Sequence, residues 1–177
     1  MHASCRIINN KMQISFYFLD KLKSEMVLPI LYDILYSNMN EIAPTGNSYE
    51  QDRTEWTSCI LPALEKTQRQ IVLIYNRDVI IGYFQYYVNS NVFMMEEIQI
   101  KKEYHGSGIF GQLYKWLIKM ITHDILYVEA YANKKNIKSQ AILKHLGLEI
   151  IGENKNGKSF LFRGKYQMIT EKYELEK

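Results

Sequence analysis

Three β-rich runs occupy residues 71–75, 79–88 and 92–100, and only Asn76-Arg77-Asp78 and Asn89-Ser90-Asn91 separate them. Turns this short and polar make antiparallel hairpins. A parallel neighbour needs a crossover of about a dozen residues, and there is no room for one here. This third of the chain therefore meanders, and the order of the other segments must fit around it. A first strand is expected over residues 12–19. Asp20 is an N-cap for a helix to about residue 38, with Leu22, Met26, Leu31 (or Ile30), Ile34 and Leu35 as its apolar stripe. Pro29 inside it predicts a kink or two shorter helices. Residues 39–47 read as a loop. Ser48 opens a second helix through Trp56, Ile60 and Leu64, which Pro62 bends.

Downstream, Phe110, Leu113, Leu117, Met120 and Ile121 recur at helical spacing. A strand follows over 125–131. Then comes a helix over 136–146 with Ile142, Leu143 and Leu146 inward and Gly147 as its stop. Final strands over 148–152 and 159–168 flank a turn at 154–157. The sum is a mixed α/β sheet.

The connection into the third helix reads YHGSGIFGQL and contains G-x-G-x-x-G at Gly106, Gly108 and Gly111, with Glu129 further on. That is the spelling of a dinucleotide fingerprint, whose strand runs directly into the first glycine of a parallel βαβ unit. Here Lys101-Lys102-Glu103-Tyr104-His105 intervenes, the preceding strands meander, and Glu129 sits inside the next strand. No Gly-Lys-Ser/Thr follows, so a Walker loop is also excluded. What survives is local physics. Glycines before a helix leave N–H groups uncovered at the positive end of its dipole, which suits an anion. A plain strand-to-helix turn is the other reading of the loop alone.

The 177 residues suit one domain, 1–177, with a core of its own. A net charge of +3 is too mild to argue for nucleic acid. Lys134, Lys135 and Lys138 are either a solvated helix start or a basic rim around an anionic cofactor. Cys5 and Cys59 make no disulfide framework and read as reduced thiols. Four dispersed histidines and two cysteines show no ligand spacing, so no metal is expected. No run reaches membrane-spanning length and the start has no apolar h-region, so no membrane is expected and the cytoplasm is the expected location.

Two longer stretches carry a resemblance. EEIQIKKEYHGSGIFGQLYKWLIKM resembles the cofactor segment of the GNAT superfamily of N-acetyltransferases: a Leu-x-Val strand, a short polar link, then Gly-x-Gly-Ile-Gly opening a helix. NKKNIKSQAILKHLGLEIIGE is similar to the second signature of that superfamily, Asn-x-x-Ala/Ser and a helix ending in Leu-Gly-Phe. The resemblance covers roughly residues 71–153. The resemblance implies a mixed, mostly antiparallel twisted sheet with flanking helices, the GNAT-like acyl-CoA N-acyltransferase fold. It implies acetyl-CoA as co-substrate and an acetyl group passed, by direct attack, to a primary amine of a small molecule or peptide. Dimers are common in the superfamily, so a homodimer is a further expectation.

Position by position, Ile98 and Ile100 fall on Leu-x-Val, whose backbone pairs with the pantetheine arm. His105, Gly106, Ser107, Gly108, Ile109, Phe110 and Gly111 fall on the pyrophosphate loop. Asn136 falls on the asparagine that contacts the cofactor, and Ser139 on the Ala/Ser position. His105 replaces the usual Arg or Gln, so cofactor affinity is expected to rise at lower pH. Phe110 replaces Gly or Ala. Leu143 replaces the tyrosine that protonates the departing thiolate, and leucine has no proton to give. These departures make a catalytically weak or inactive CoA-binding module the alternative.

For the chemistry, the amine must be neutral to attack, so a base must take its proton. Glu96 and Glu97 are the candidates. Strand alternation puts them on opposite faces, Glu97 on the side away from Ile98 and Ile100; a bulge would reverse the assignment. A backbone N–H near Ile98 would polarise the thioester carbonyl. Tyr131 is a substitute proton donor, with Tyr104 and Tyr166 behind it. Glu41, Glu50 and Asp52 would suit a cationic acceptor. Trp56, Tyr83, Phe84, Tyr86 and Tyr87 are pocket or core aromatics.

Overall fold

The computed structural model describes residues 12–66, 68–121 and 124–174. The meander is present as β2 (Gln70–Asn76), β3 (Val79–Asn89) and β4 (Val92–Ile100), each antiparallel to the next. Their turns hold Arg77 and Ser90 at φ 55°, the left-handed conformation that a two-residue hairpin loop demands. Ahead of them β1 (Ile14–Phe18) pairs antiparallel with β2. After them come β5 (Tyr127–Asn133), β6 (Glu149–Glu153) and β7 (Ser159–Lys165). The sheet order is β1-β2-β3-β4-β5-β7-β6. All neighbours are antiparallel except β4 and β5.

Strand alternation splits the core between two faces of the sheet. Ile71, Leu73 and Tyr83 face Leu28, Leu31, Ile34, Ile60 and Leu64 of α1 (Ser24–Met39) and α2 (Tyr49–Lys66). Val72, Ile74, Phe84, Met95, Val128 and Phe162 face the other side. There they meet α3 (Ile109–Met120), α4 (Ile137–His145) and α5 (Tyr166–Glu174) through Leu113, Leu117, Leu143 and Ile169. Both faces of the central strands are buried, so these strands read as apolar runs.

The helix starts explain most differences from the sequence reading. Asp20 does cap, its carboxylate accepting from Leu22 N at 3.0 Å, but the turn it opens is a 3-10 turn over Lys21–Lys23. That tighter turn re-phases α1. Leu22 is 95% and Met26 75% exposed, and the buried stripe is Leu28, Leu31, Tyr32 and Ile34. Pro29 and Pro62 break nothing: α1 and α2 run through them. Pro29 leaves the Glu25 carbonyl without its helical partner, and Glu25 is on the solvent side. At α2, Ser48 and Gln51 form a capping box: Gln51 N donates to Ser48 Oγ at 3.3 Å, and Ser48 N to Gln51 Oε1 at 2.9 Å.

At the end of the chain β7 stops at Lys165, and the residues expected to continue it form α5. Tyr166, Ile169 and Tyr173 lie at helical spacing, and Tyr173 stacks on Tyr114 of α3 with ring centroids 5.3 Å apart. Among the described residues no helix is long and apolar enough to cross a membrane, and no group of three or more His, Cys, Asp or Glu could hold a metal ion. Cys59 is exposed; Cys5 lies outside the described residues.

Candidate active site

β4 and β5 pair only over Val92–Met95 and Tyr127–Ala130. Beyond these four positions the strands diverge, and a cleft of about 1270 Å³ opens between them. The hydrogen-bond phase of β4 decides what this gap receives. Lys101 N donates to Ile81 O at 2.8 Å, which makes Ile100 and Gly82 a non-hydrogen-bonded pair. The backbone groups of Ile100, and of Ile98 two residues earlier, therefore point away from β3 and into the gap. The Ile100 carbonyl is already engaged, accepting from Asn38 Nδ2 at 2.9 Å and from His105 Nε2 at 2.8 Å. The Ile98 groups and the Ile100 N–H remain turned toward the cleft. Gly82 lets the strands come this close: a Cβ there would lie 2.4 Å from the Gln99 carbonyl oxygen.

A 3-10 turn over Lys102–Tyr104 leads from β4 into the glycine loop. Gly106 and Gly108 have φ of 75° and 76°, and Gly108 is the N-cap of α3. A Cβ at either would meet no atom within 4 Å. Open space thus lies in front of both glycines, beside helix N–H groups that have no intrahelical acceptor. Ser107 Oγ donates to Tyr104 O at 2.5 Å and holds the loop shut on its other side. Lys102, Lys135 and Lys138 line the same cleft. Of the basic cluster read from the sequence, Lys135 and Lys138 thus stand at the cleft, whereas Lys134 turns away and pairs with Glu153 at 2.7 Å. Room, N–H groups and positive charge suit a pyrophosphate.

The second signature closes the far wall. Asn136 caps α4, its Oδ1 accepting from Ser139 N at 3.1 Å. Its Nδ2 reaches Met39 Sδ of α1 at 4.0 Å, so α1 and α4 meet across the gap. Ser139, Ile142 and Leu143 line the cleft, with Leu143 buried.

The two glutamates do not alternate. Register slips between β3 and β4 at Gln85/Tyr86: Gln85 pairs with Glu97 and Tyr86 with Met95, leaving Glu96 as an extra residue. A bulge of this kind turns both residues to one face. Glu96 and Glu97 accordingly share the α1–α2 face, and both line the cleft. Their surroundings differ. Glu96 is clamped by Arg69 through Nε and Nη2, each at 2.5 Å, and by Gln85 Nε2 at 2.8 Å. Glu97 accepts from Gln99 Nε2 at 3.3 Å and has Tyr83 and Trp56 as neighbours. Burial holds its carboxyl above the usual carboxylate range, against the lowering effect of those polar neighbours. The Tyr83 hydroxyl beside it is buried without a well-formed hydrogen bond and is raised well above the usual tyrosine value, mainly by burial.

The remaining candidates are distributed as follows. Tyr131 stands 48% exposed on β5, on the opposite rim of the cleft. Tyr104 also lines the cleft, its hydroxyl accepting from Asn76 Nδ2 at 3.4 Å. Tyr166 packs edge-on against Phe93, at 6.1 Å, outside the cleft lining. Ile98, Ile100, His105, Gly106, Ser107, Gly108, Ile109 and Phe110 all line the cleft; Phe110 also packs on the core. Gly111 does not: helical rotation turns it to Tyr173, 3.6 Å from where its Cβ would stand. Glu129 pairs with Arg163 at 2.6 Å, which removes it as a ribose ligand. Glu41 lines the cleft, whereas Glu50 pairs with Arg53 at 3.1 Å and Asp52 accepts from Thr45 Oγ1 at 2.6 Å.

Asn38, Gln99, Gln85 and Arg69 escaped the sequence reading. One signal was available: glutamines at 85 and 99 interrupt strands that are otherwise apolar, and both are buried.

No protein-family model matches the sequence, and no curated protein matches it. Solved structures do match. An acetyltransferase from Thermus thermophilus superposes with a TM-score of 0.68 at 12% identity, over 87% of this chain and 97% of that one. The PaiA N-acetyltransferase from Thermoplasma acidophilum, in complex with coenzyme A, gives 0.66 at 16% identity over 88% and 100%. The aminoglycoside acetyltransferase AAC(6')-Ib, also with coenzyme A, gives 0.64 at 14% over 92% and 99%. At such identities the likeness speaks for architecture alone: the chain has the GNAT acetyltransferase fold.

Proposed function

We propose that this chain is an acetyltransferase that binds acetyl-CoA and passes its acetyl group to a primary amine by direct attack. The observation that carries this reading is the gap between β4 and β5, with free backbone groups at Ile98, an anion cradle at its mouth and a carboxyl held high at Glu97. Ile98 and Ile100 hold the pantetheine amides as a neighbouring strand would. Gly106, Ser107, Gly108 and Ile109 present N–H groups to the pyrophosphate, and Lys102, Lys135 and Lys138 balance its charge. Glu97 takes the proton of the attacking amine. The Ile98 N–H donates to the thioester carbonyl oxygen as negative charge builds there. Glu96 is spoken for by Arg69 and Gln85, so its role is to hold the strand rather than to accept a proton. Leu143 donates nothing to the departing thiolate, which takes its proton from solvent or from Tyr131. We read the chain as one domain acting in the cytoplasm.

Gly108→Ala is expected to weaken CoA binding by about tenfold or more. The new Cβ fills the open cradle where the anion would sit; its left-handed φ adds about 1–2 kcal/mol of strain, which lowers stability in the free and bound protein alike. Calorimetry against CoA measures it.

Acetyl-CoA titrated to near-millimolar concentration should bind. Thiol release should then appear with at least one member of a panel of amines and peptides. The buried Leu143 favours a second reading, a CoA-binding module without turnover. That reading predicts binding with no thiol release for any acceptor. No binding at all defeats both.

A further inference from the structure

Asn38 stands near the C-terminal end of α1, and its side-chain nitrogen donates twice: to the Ile100 carbonyl and to Gln99 Oε1, both at 2.9 Å. Both partners are acceptors, so the orientation of the amide is fixed by them. Gln99, having turned its oxygen to Asn38, must turn its nitrogen the other way, and Nε2 meets Glu97 Oε1 at 3.3 Å. From Asn38 through Gln99 the N–H groups point toward Glu97, while the second Asn38 N–H points the other way, to the Ile100 carbonyl. At its other end the Ile100 carbonyl also takes His105 Nε2, and His105 immediately precedes Gly106 of the glycine loop. One continuous set of hydrogen bonds thus links the anion cradle to the half-buried carboxyl through α1.

Gln99 is one of three donors toward Glu97: Tyr83 and Trp56 also favour its ionised form, Tyr83 more than Gln99. Asn38 Oδ1 and Gln85 Oε1, both buried without a partner, are acceptors only. The charged and titratable groups facing Glu97 are Glu96 beside it on β4, itself bound to Arg69, and Tyr83 from β3; α2 brings only Trp56.

We propose that Asn38 and Gln99 are positioning residues: they hold the Glu97 carboxyl by a donor of fixed direction and couple it, through the Ile100 carbonyl and His105, to the occupancy of the glycine loop. This rests on the acetyl-transfer reading for its purpose, though not for its detection. Asn38→Leu removes both donors without adding charge, and Glu97 loses a fixed N–H that favours its ionised form. Asn38→Asp is isosteric and reverses the chain, because Gln99 then turns its nitrogen to the new carboxylate and its oxygen to Glu97.

The test follows the Glu97 carboxyl by carbon-13 NMR across pH, with and without CoA, in the wild type, N38L, N38D and Q99L. Added CoA should move the Glu97 midpoint in the wild type and leave it unmoved in N38L and Q99L. N38D should raise the midpoint by about one pH unit. The acid limb of kcat/KM should move with it. N38L and Q99L combined should be no worse than either alone, since both cut one chain. The proposal is overturned if these folded variants titrate as the wild type, or if bound CoA leaves wild-type Glu97 untouched. If CoA does not bind at all, the acetyl-transfer reading falls and the coupling falls with it, while the CoA-free titrations still judge the positioning of Glu97. Should N38L fail to fold, Q99L and N38D carry the same comparison.

Discussion

Glu97→Gln is expected to lower turnover by about 10²–10⁴-fold while CoA binding stays as it was. The substitution keeps the shape of the side chain and removes only its basicity. Arg69 and Gln85 hold Glu96, so the neighbouring carboxylate is not free to take over. The same change should stabilise the protein at neutral pH. Burial raises the folded-state pKa of Glu97 above its unfolded value, so the folded protein binds the proton more tightly than the unfolded chain does. Stability therefore falls as pH rises through the window between the ordinary carboxylate range and the raised value, and the loss is complete above it. Thermal melts of wild type and E97Q should coincide at about pH 4, below both pKa values, and separate at neutral pH, with E97Q melting higher. Full turnover in E97Q would remove Glu97 as the base; identical melts at neutral pH would remove its burial cost.

Gly82→Ala is expected to cost about 1–3 kcal/mol, because overpacking here meets backbone and not the end of a flexible side chain. The added Cβ would stand 2.4 Å from the Gln99 carbonyl oxygen and 3.1 Å from Ile100 Cα. β3 and β4 must part where Gln99 and Ile100 serve Asn38 and Glu97. For a chain of this size Tm should drop by roughly 2–12 °C. Gly152→Ala on β6 is the control, since no atom lies within 4 Å of its Cβ and its φ is not left-handed. Equal melts for the two variants would contradict the close approach at Gly82.

The meander and the glycine loop were legible because each is a local pattern: short polar turns, and glycines at left-handed φ before a helix. Asn136 was read only as a cofactor contact; the structure adds that it caps α4. The α1 stripe was misjudged because a 3-10 turn and an α-helix differ in phase, and nothing in the residues from Asp20 to Ser24 announces where one becomes the other. Glu96 and Glu97 defeated alternation for a related reason. The bulge that turns both to one face is set by pairing with β3, eleven residues earlier for Gln85 and Glu96. Asn38 lies 61 residues from Gln99 along the chain, and contact between them exists only after α1 docks. Gly111 matched a three-glycine spelling, but helix rotation spends it on α5.

The two arms of the sheet share a ladder over four positions and then a common layer of side chains beneath the gap. That layer includes Phe84, Met95, Tyr114, Ala130 and Ala132, all of them also walls of the cleft. Beyond the ladder, side-chain bulk and not backbone pairing fills the space beneath the opening. One methyl more or less at Ala130 or Ala132 would change the room available without breaking a single ladder bond. In a fold of this kind, selection for a longer or shorter acyl chain can act on a few interior positions while every strand keeps its register.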